Sequence, residues 1–352
     1  MSARRLAIVG LVAGLCGSGI GLAIDTKSML ASYLASWIAV SAISIGSIGV
    51  LPFTYLVRGG WTDDLHRPLT FAGLTLPAFA LLFLPIVLGC QMLYPWADVL
   101  QSLPAFQRTW LSPWFFSTRA LLYFVVLFAL AVWLALGFQD KRSCLRSAAV
   151  TSIVWTLIVS FAGIDWLESL EPHFHSSIYG LLILSFALLT GLAFALAFVL
   201  IAHQDLKMQP WAYSGLFLSM LLLWAYLHAM QYIIIWSGNL PAEMIWYVER
   251  LKGPWGFLLW ALFILQFIVP FFALLPARLR YDTRNLMRIA VATLALRYLE
   301  AVIFILPPQH VSGLVLVLYL PAALLLITSG FVFAWTVAER FDRQLLLRTA
   351  TV

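Results

Sequence analysis

Ten stretches of this chain are apolar for long enough to cross a bilayer, and that count limits what it can fold into more than any other feature. A hydrocarbon core of about 30 Å asks for about 20 consecutive apolar residues per helix. The stretches that qualify are 6–24, 29–57, 70–94, 113–138, 146–167, 176–202, 212–236, 254–277, 285–306 and 314–337. Backbone groups in lipid must pair within their own segment, so each stretch is predicted to be an α-helix. The alternating ten-residue segments of an outer-membrane barrel do not occur. Composition agrees: 63% of residues are hydrophobic and 10% charged, against about 25% charged in a soluble domain. Fifteen tryptophans and 25 phenylalanines supply the aromatic load of membrane-interface belts. The expected fold class is all-α integral membrane, with ten transmembrane helices. No cleavable leader is expected, because no small-residue cleavage site separates the first apolar segment from the next.

Charge predicts an orientation. Of the 21 lysines and arginines, fifteen fall at the amino-terminal end, in the even-to-odd loops and at the carboxyl end; four fall in the opposite loops. Arg119 and Arg297 lie inside spans. Positive charge stays inside, so both termini are expected in the cytoplasm. The formal charge of +6 does not point to nucleic acid, since the basic residues sit in short loops.

A repeat is visible at an offset of about 140 residues. Asp64-Leu65 matches Asp205-Leu206, Gln91 and Trp96 match Gln231 and Trp236, and Pro113-Trp114 matches Pro254-Trp255. The unit holds four helices, an even number, so the copies share one orientation. The reading is two parallel-repeat four-helix bundles, 29–167 and 176–306, flanked by one helix each at 6–24 and 314–337. Gly10, Gly14, Gly17 and Gly21 on the first helix form small-xxx-small pairs. They are expected to pack on another helix of this chain rather than on a partner.

Against that apolar background one run stands out, FAGIDWLESLEPHFHSSIYG at 161–180. Asp165, Glu168, Glu171, His173 and His175 fall within it, between spans five and six. Acids and imidazoles at membrane depth are kept only where water, partners or function compensate. Arg119 lies about six residues into span four, roughly 9 Å at the helical rise. His228 and Gln231 stand one turn apart on span seven with Trp224 on the same face, and Arg297 and Glu300 are three apart on span nine and can neutralise each other. All these groups belong to one half of the membrane. A plain alternative stands beside each: a wet loop for Glu171, His173 and His175, a bonded core histidine for His228, a geometry-fixing pair for Arg297 and Glu300. Asp165 and Glu168, one turn apart at the end of span five, are the leading functional candidates. Asp165 is expected to meet water on one side, so Asp165→Asn should assemble, whereas Glu300→Gln should strand Arg297.

Redox cofactors find few ligands. Cys16, Cys90 and Cys144 are scattered, which leaves no iron–sulfur or zinc site. Only His228 lies well within a span; His66 and His203 sit at one edge, and His173, His175 and His310 at the other. No haem is therefore expected, and no nucleotide-binding or hydrolase motif occurs.

Several runs carry a family resemblance: 161–180, WAYLHAMQYIIIWSGNLPAE at 224–243, ALRYLEAVIFILPP at 295–308, WLSPWFFSTRALLYF at 110–124, and LPAFALLFLPIVLG in span three. Together they resemble the ten-span NrfD-like membrane subunits of bacterial alternative complex III, above all the ActF-type second quinone-binding subunit. The resemblance implies a quinol:cytochrome c oxidoreductase in which iron–sulfur and haem c subunits carry the electrons. A sister NrfD-like subunit, membrane lipid and quinol are the further partners it implies. A subunit of this type contributes quinone binding or proton conduction and holds no redox cofactor itself. The chain departs from the family's usual WYxNxPEE at Trp236–Glu243, lacking one tyrosine and one acid there. The alternative is a secondary transporter built from two parallel repeats; such proteins place polar sites at the midplane between discontinuous helices.

Overall fold

Small residues let helices touch backbone to backbone, and spans two and six are built on such a contact. In the computed structural model, which describes residues 3–57, 61–102, 104–136, 141–171, 174–202, 210–309 and 313–349, Gly46 of span two meets Gly191 of span six. A methyl added at Gly46 would overlap the Ala187 carbonyl, and one at Gly191 would overlap the Gly46 backbone. These two helices form the centre of the molecule, with 94% and 89% of their apolar windows buried. Gly46→Ala is expected to lower stability by about 1–3 kcal/mol, the usual range for overpacking. Thermal unfolding in detergent checks this, with Gly215→Ala, whose site has open space, as the unaffected control.

Ten helices of the described residues are long and apolar enough to cross a membrane. Spans one to five are Ala3–Ile24, Thr26–Leu56, Asp64–Leu88, Pro113–Ala135 and Ser143–Leu170. Spans six to ten are Tyr179–Ala202, Pro210–Ser237, Pro254–Leu274, Thr283–Gln309 and Gly313–Arg340. The chain is a multi-pass membrane protein of all-α fold. Span two packs on spans three, five, six, nine and ten, and span six on spans five, seven and nine. Span one lies along span ten, where Gly14 comes within Cβ-clash range of the Leu326 backbone and Gly17 of Ala322. The first-helix glycines therefore pack inside the chain. Spans one, seven and eight are buried over less than a third of their windows, so most of their surface is left to lipid or neighbours.

Ten helices in succession put residues 3 and 340 at one end of the bundle and residues 168–171 and 174–178 at the other. Pro113 and Pro254 each open a helix near its first position, where a missing N–H costs nothing. Asp205 and Leu206, His203 and His310 lie outside the described residues.

Two spans are less regular than their hydropathy implies. Span three kinks at Thr75, Phe83 and Gly89. Pro77 and Pro85 follow two of these breaks, and a proline removes one ladder hydrogen bond and crowds the preceding turn. Span eight holds a π-turn at Ile264–Ile268 just before Pro270, which turns Gln266 fully inward. Between spans seven and eight a short helix, Pro241–Leu251, caps the bundle at the end opposite the termini.

Candidate functional site

At that opposite end the ionisable side chains gather into three clusters. The first joins spans four and five. Asp165 stands one residue before the α-helix ends at Trp166 and is 2% exposed. Arg119 grips it bidentately, Nε donating to Oδ2 at 2.7 Å and Nη2 to Oδ1 at 2.9 Å. The Tyr123 hydroxyl donates to Oδ2 at 2.7 Å and the Trp110 indole N–H to Oδ1 at 3.1 Å. Arg119 also donates to the Trp110 carbonyl at 2.5 Å and lies over the Trp110 and Phe115 rings. This corrects the expectation that Asp165 meets water on one side. Four donors saturate its carboxylate, and fork-shaped arginine pairing of this kind is strong and directional. The cluster clamps the 105–112 connection onto spans four and five.

The second cluster ties the loop after span five to the capping helix. Arg250 is fully buried, and its Nη2 donates to Glu171 Oε1 at 2.7 Å and to the Phe304 carbonyl of span nine at 2.5 Å. Its Nη1 donates to the Trp246 carbonyl at 2.8 Å, and the guanidinium stands 3.8 Å over the Trp246 ring. Burial pushes the phenol of Tyr247, on the same helix, above its ordinary range, while the Gln231 amide beside it pulls the other way.

The third cluster joins spans seven and nine. Glu300 and Arg297 are both fully buried, with Arg297 Nη1 2.6 Å from Glu300 Oε2. The charges touch, yet no Arg297 N–H finds an aligned acceptor. The guanidinium lies over the rings of Trp224 and Phe186 instead. Glu300 Oε1 accepts from the Trp224 indole N–H at 2.9 Å and faces His228 Nε2 at 3.1 Å. His228 Nδ1 lies 3.0 Å from the Trp224 carbonyl. A carbonyl can only accept, so Nδ1 carries a hydrogen. Nε2 stands close to Glu300 Oε1 without being aligned on it for a hydrogen bond. Gln231, one turn further on, is buried with neither amide atom in a hydrogen bond.

Between the clusters lies Tyr179, within electrostatic reach of Arg250, Glu171, Glu168 and Glu300. The rings of Phe174 and Phe304 flank it. Glu168 opens a single turn of tighter helix, Glu168–Leu170, and its Oε1 accepts from the Ser176 N–H at 2.8 Å. His175 is exposed beside it, at the rim of a cavity of about 140 Å³ lined also by Asp165 and Glu171. His173 lies outside the described residues.

No family model and no curated protein matches the chain. Among the described residues no group of three or more His, Cys, Asp or Glu could hold a metal ion.

The structure thus brings the sequence-selected residues together as pairs, Asp165 with Arg119, Glu300 with Arg297 and His228, while Glu168 and His175 share the cavity. Arg250, Tyr123 and Trp110 were missed. Arg250 carried a signal: Pro241 at a helix start, Glu243 in the first turn and Arg250 in the last mark an amphipathic helix.

Proposed function

We propose that this chain is a non-catalytic membrane subunit of a quinol-oxidising respiratory complex of the alternative complex III type. In that reading it handles protons, or the quinol that releases them, at the end opposite its termini. The observation that carries it is the close approach of His228 Nε2 to Glu300 Oε1, 3.1 Å apart, with the imidazole partly exposed and the carboxylate fully buried. An imidazole so placed can take a proton from, or pass one to, a group arriving out of the lipid. Imidazole suits this because small changes in surroundings move its charge across working pH. Arg297 keeps the cluster cationic or neutral when that proton leaves. The resemblance at 161–180, 224–243 and 295–308 supplies the respiratory setting, with iron–sulfur, haem c and sister membrane subunits as partners. Both termini would then be cytoplasmic in a bacterial inner membrane, and the clusters would face the periplasm.

Tagged chain isolated gently from native membranes tests this. Co-isolation of haem c and iron–sulfur proteins with quinol oxidase activity is expected. A solitary chain with substrate-dependent flux in vesicles would instead establish the transporter reading, to which the kinked span three lends some support. Stripped of partners, the chain should show no Soret band, because among the described residues His228 is the one histidine deep within a span, His66 lying near the end of span three. Stoichiometric haem would overturn the division of labour. Reporter fusions after Glu339 should read cytoplasmic, and fusions within 169–175 periplasmic; a cytoplasmic signal from 169–175 would invert the site.

A further inference from the structure

The cavity of about 140 Å³ between the 106–111 connection and the 164–171 segment, with Phe174 and His175 also lining it, is not used by the His228–Glu300 pair. A cavity of about 150 Å³ admits a guest the size of benzene. Its walls are aromatic on several sides, from Trp96, Phe106, Trp110 and Phe174, and Gln107 joins them. Three carboxylates reach it, but their charges are not equal in effect. Asp165 is neutralised by Arg119 and Glu171 by Arg250. Among the described residues no cation pairs with Glu168, whose one recorded partner is the Ser176 N–H. One carboxyl group therefore remains without a cation, partly buried and facing an aromatic chamber. Partial burial of an unpaired carboxylate is costly, and aromatic faces attract organic cations, quaternary ammonium groups above all.

The geometry points to a binding site for an alkylammonium group, as the headgroup of a zwitterionic phospholipid carries. Glu168 takes the ammonium and the aromatic walls surround its carbons. The lipid source is favoured by what lies below the mouth. Ile164 lines the cavity, and Ile153, Leu157 and Phe161 continue the exposed apolar face of span five beneath it. That spacing of about one helical turn gives an acyl chain a continuous track from the chamber into the hydrocarbon core.

The test is lipid retention by the full chain, read by native mass spectrometry after exchange into nanodiscs. One phosphatidylethanolamine or phosphatidylcholine per chain should survive delipidation at least tenfold better than phosphatidylglycerol, which has no ammonium. Glu168→Gln can still accept from Ser176 and so should fold, but should lose that preference. Phe106→Ala, at an exposed position, should weaken it. Equal retention of phosphatidylglycerol, or an unchanged preference in Glu168→Gln, would overturn the proposal. Displacement by free ethanolamine would assign the site to a soluble amine, and no displacement to the lipid. None of these readouts depends on quinol turnover, so their failure leaves the respiratory reading standing or falling on its own.

Discussion

Asp165→Asn should not assemble normally. The substitution keeps the shape of the side chain and removes the charge that Arg119 faces through two hydrogen bonds of 2.7 and 2.9 Å. Arg119 is itself buried and is left with the Trp110 carbonyl and two aromatic rings as its remaining company. Removing one partner of a buried ion pair costs about 3–5 kcal/mol, because the other charge is left uncompensated. Stability of a whole protein is commonly 5–15 kcal/mol, so the loss should be visible as low abundance in the membrane and an earlier thermal transition. Replacing both partners with apolar residues of similar size, Arg119→Met with Asp165→Leu, should recover much of it, since a buried pair against a packed apolar pair is often neutral or better. The two single variants and the double variant form a cycle. Normal abundance and an unshifted transition in Asp165→Asn would show that the pair carries charge for some purpose other than holding spans four and five together.

That outcome reverses what the sequence led one to expect of Asp165, and the reason is physical. Every span was legible, because apolar length is a local property and a span of about 20 residues announces itself. The depth of each ionisable group was legible too, by counting from helix ends. What a group faces is not local. Asp165 and Arg119 are 46 positions apart, and Glu171 and Arg250 are 79 apart; only the packing of spans four, five and nine with the capping helix brings them together. Arg297 and Glu300 could be paired from sequence because three residues along a helix are neighbours. The kinks of span three were half legible in Pro77 and Pro85. The π-turn that buries Gln266 left no comparable mark beyond Pro270.

The same distinction decides the third cluster, where fold and function separate by residue. Glu300→Gln leaves Arg297 fully buried with no carboxylate at 2.6 Å and, as in the first cluster, should cost about 3–5 kcal/mol. The chain is expected to fail at assembly before any kinetic effect can be read. His228→Gln is different. It leaves the Arg297–Glu300 pair intact and keeps the Trp224 N–H on Glu300 Oε1, so abundance should stay near normal. It removes the one group in the cluster that can hold or release a proton beside that carboxylate. If this end of the protein handles protons through that imidazole, quinol oxidation by the intact complex should fall at least tenfold, about 1.4 kcal/mol or more on the barrier. Abundance and turnover are scored together in native membranes, because either alone would mistake misfolding for lost chemistry. Full turnover in His228→Gln at normal abundance would reduce His228 to a ring stacked between Trp224 and Phe304 and would remove the observation on which the proposed function rests.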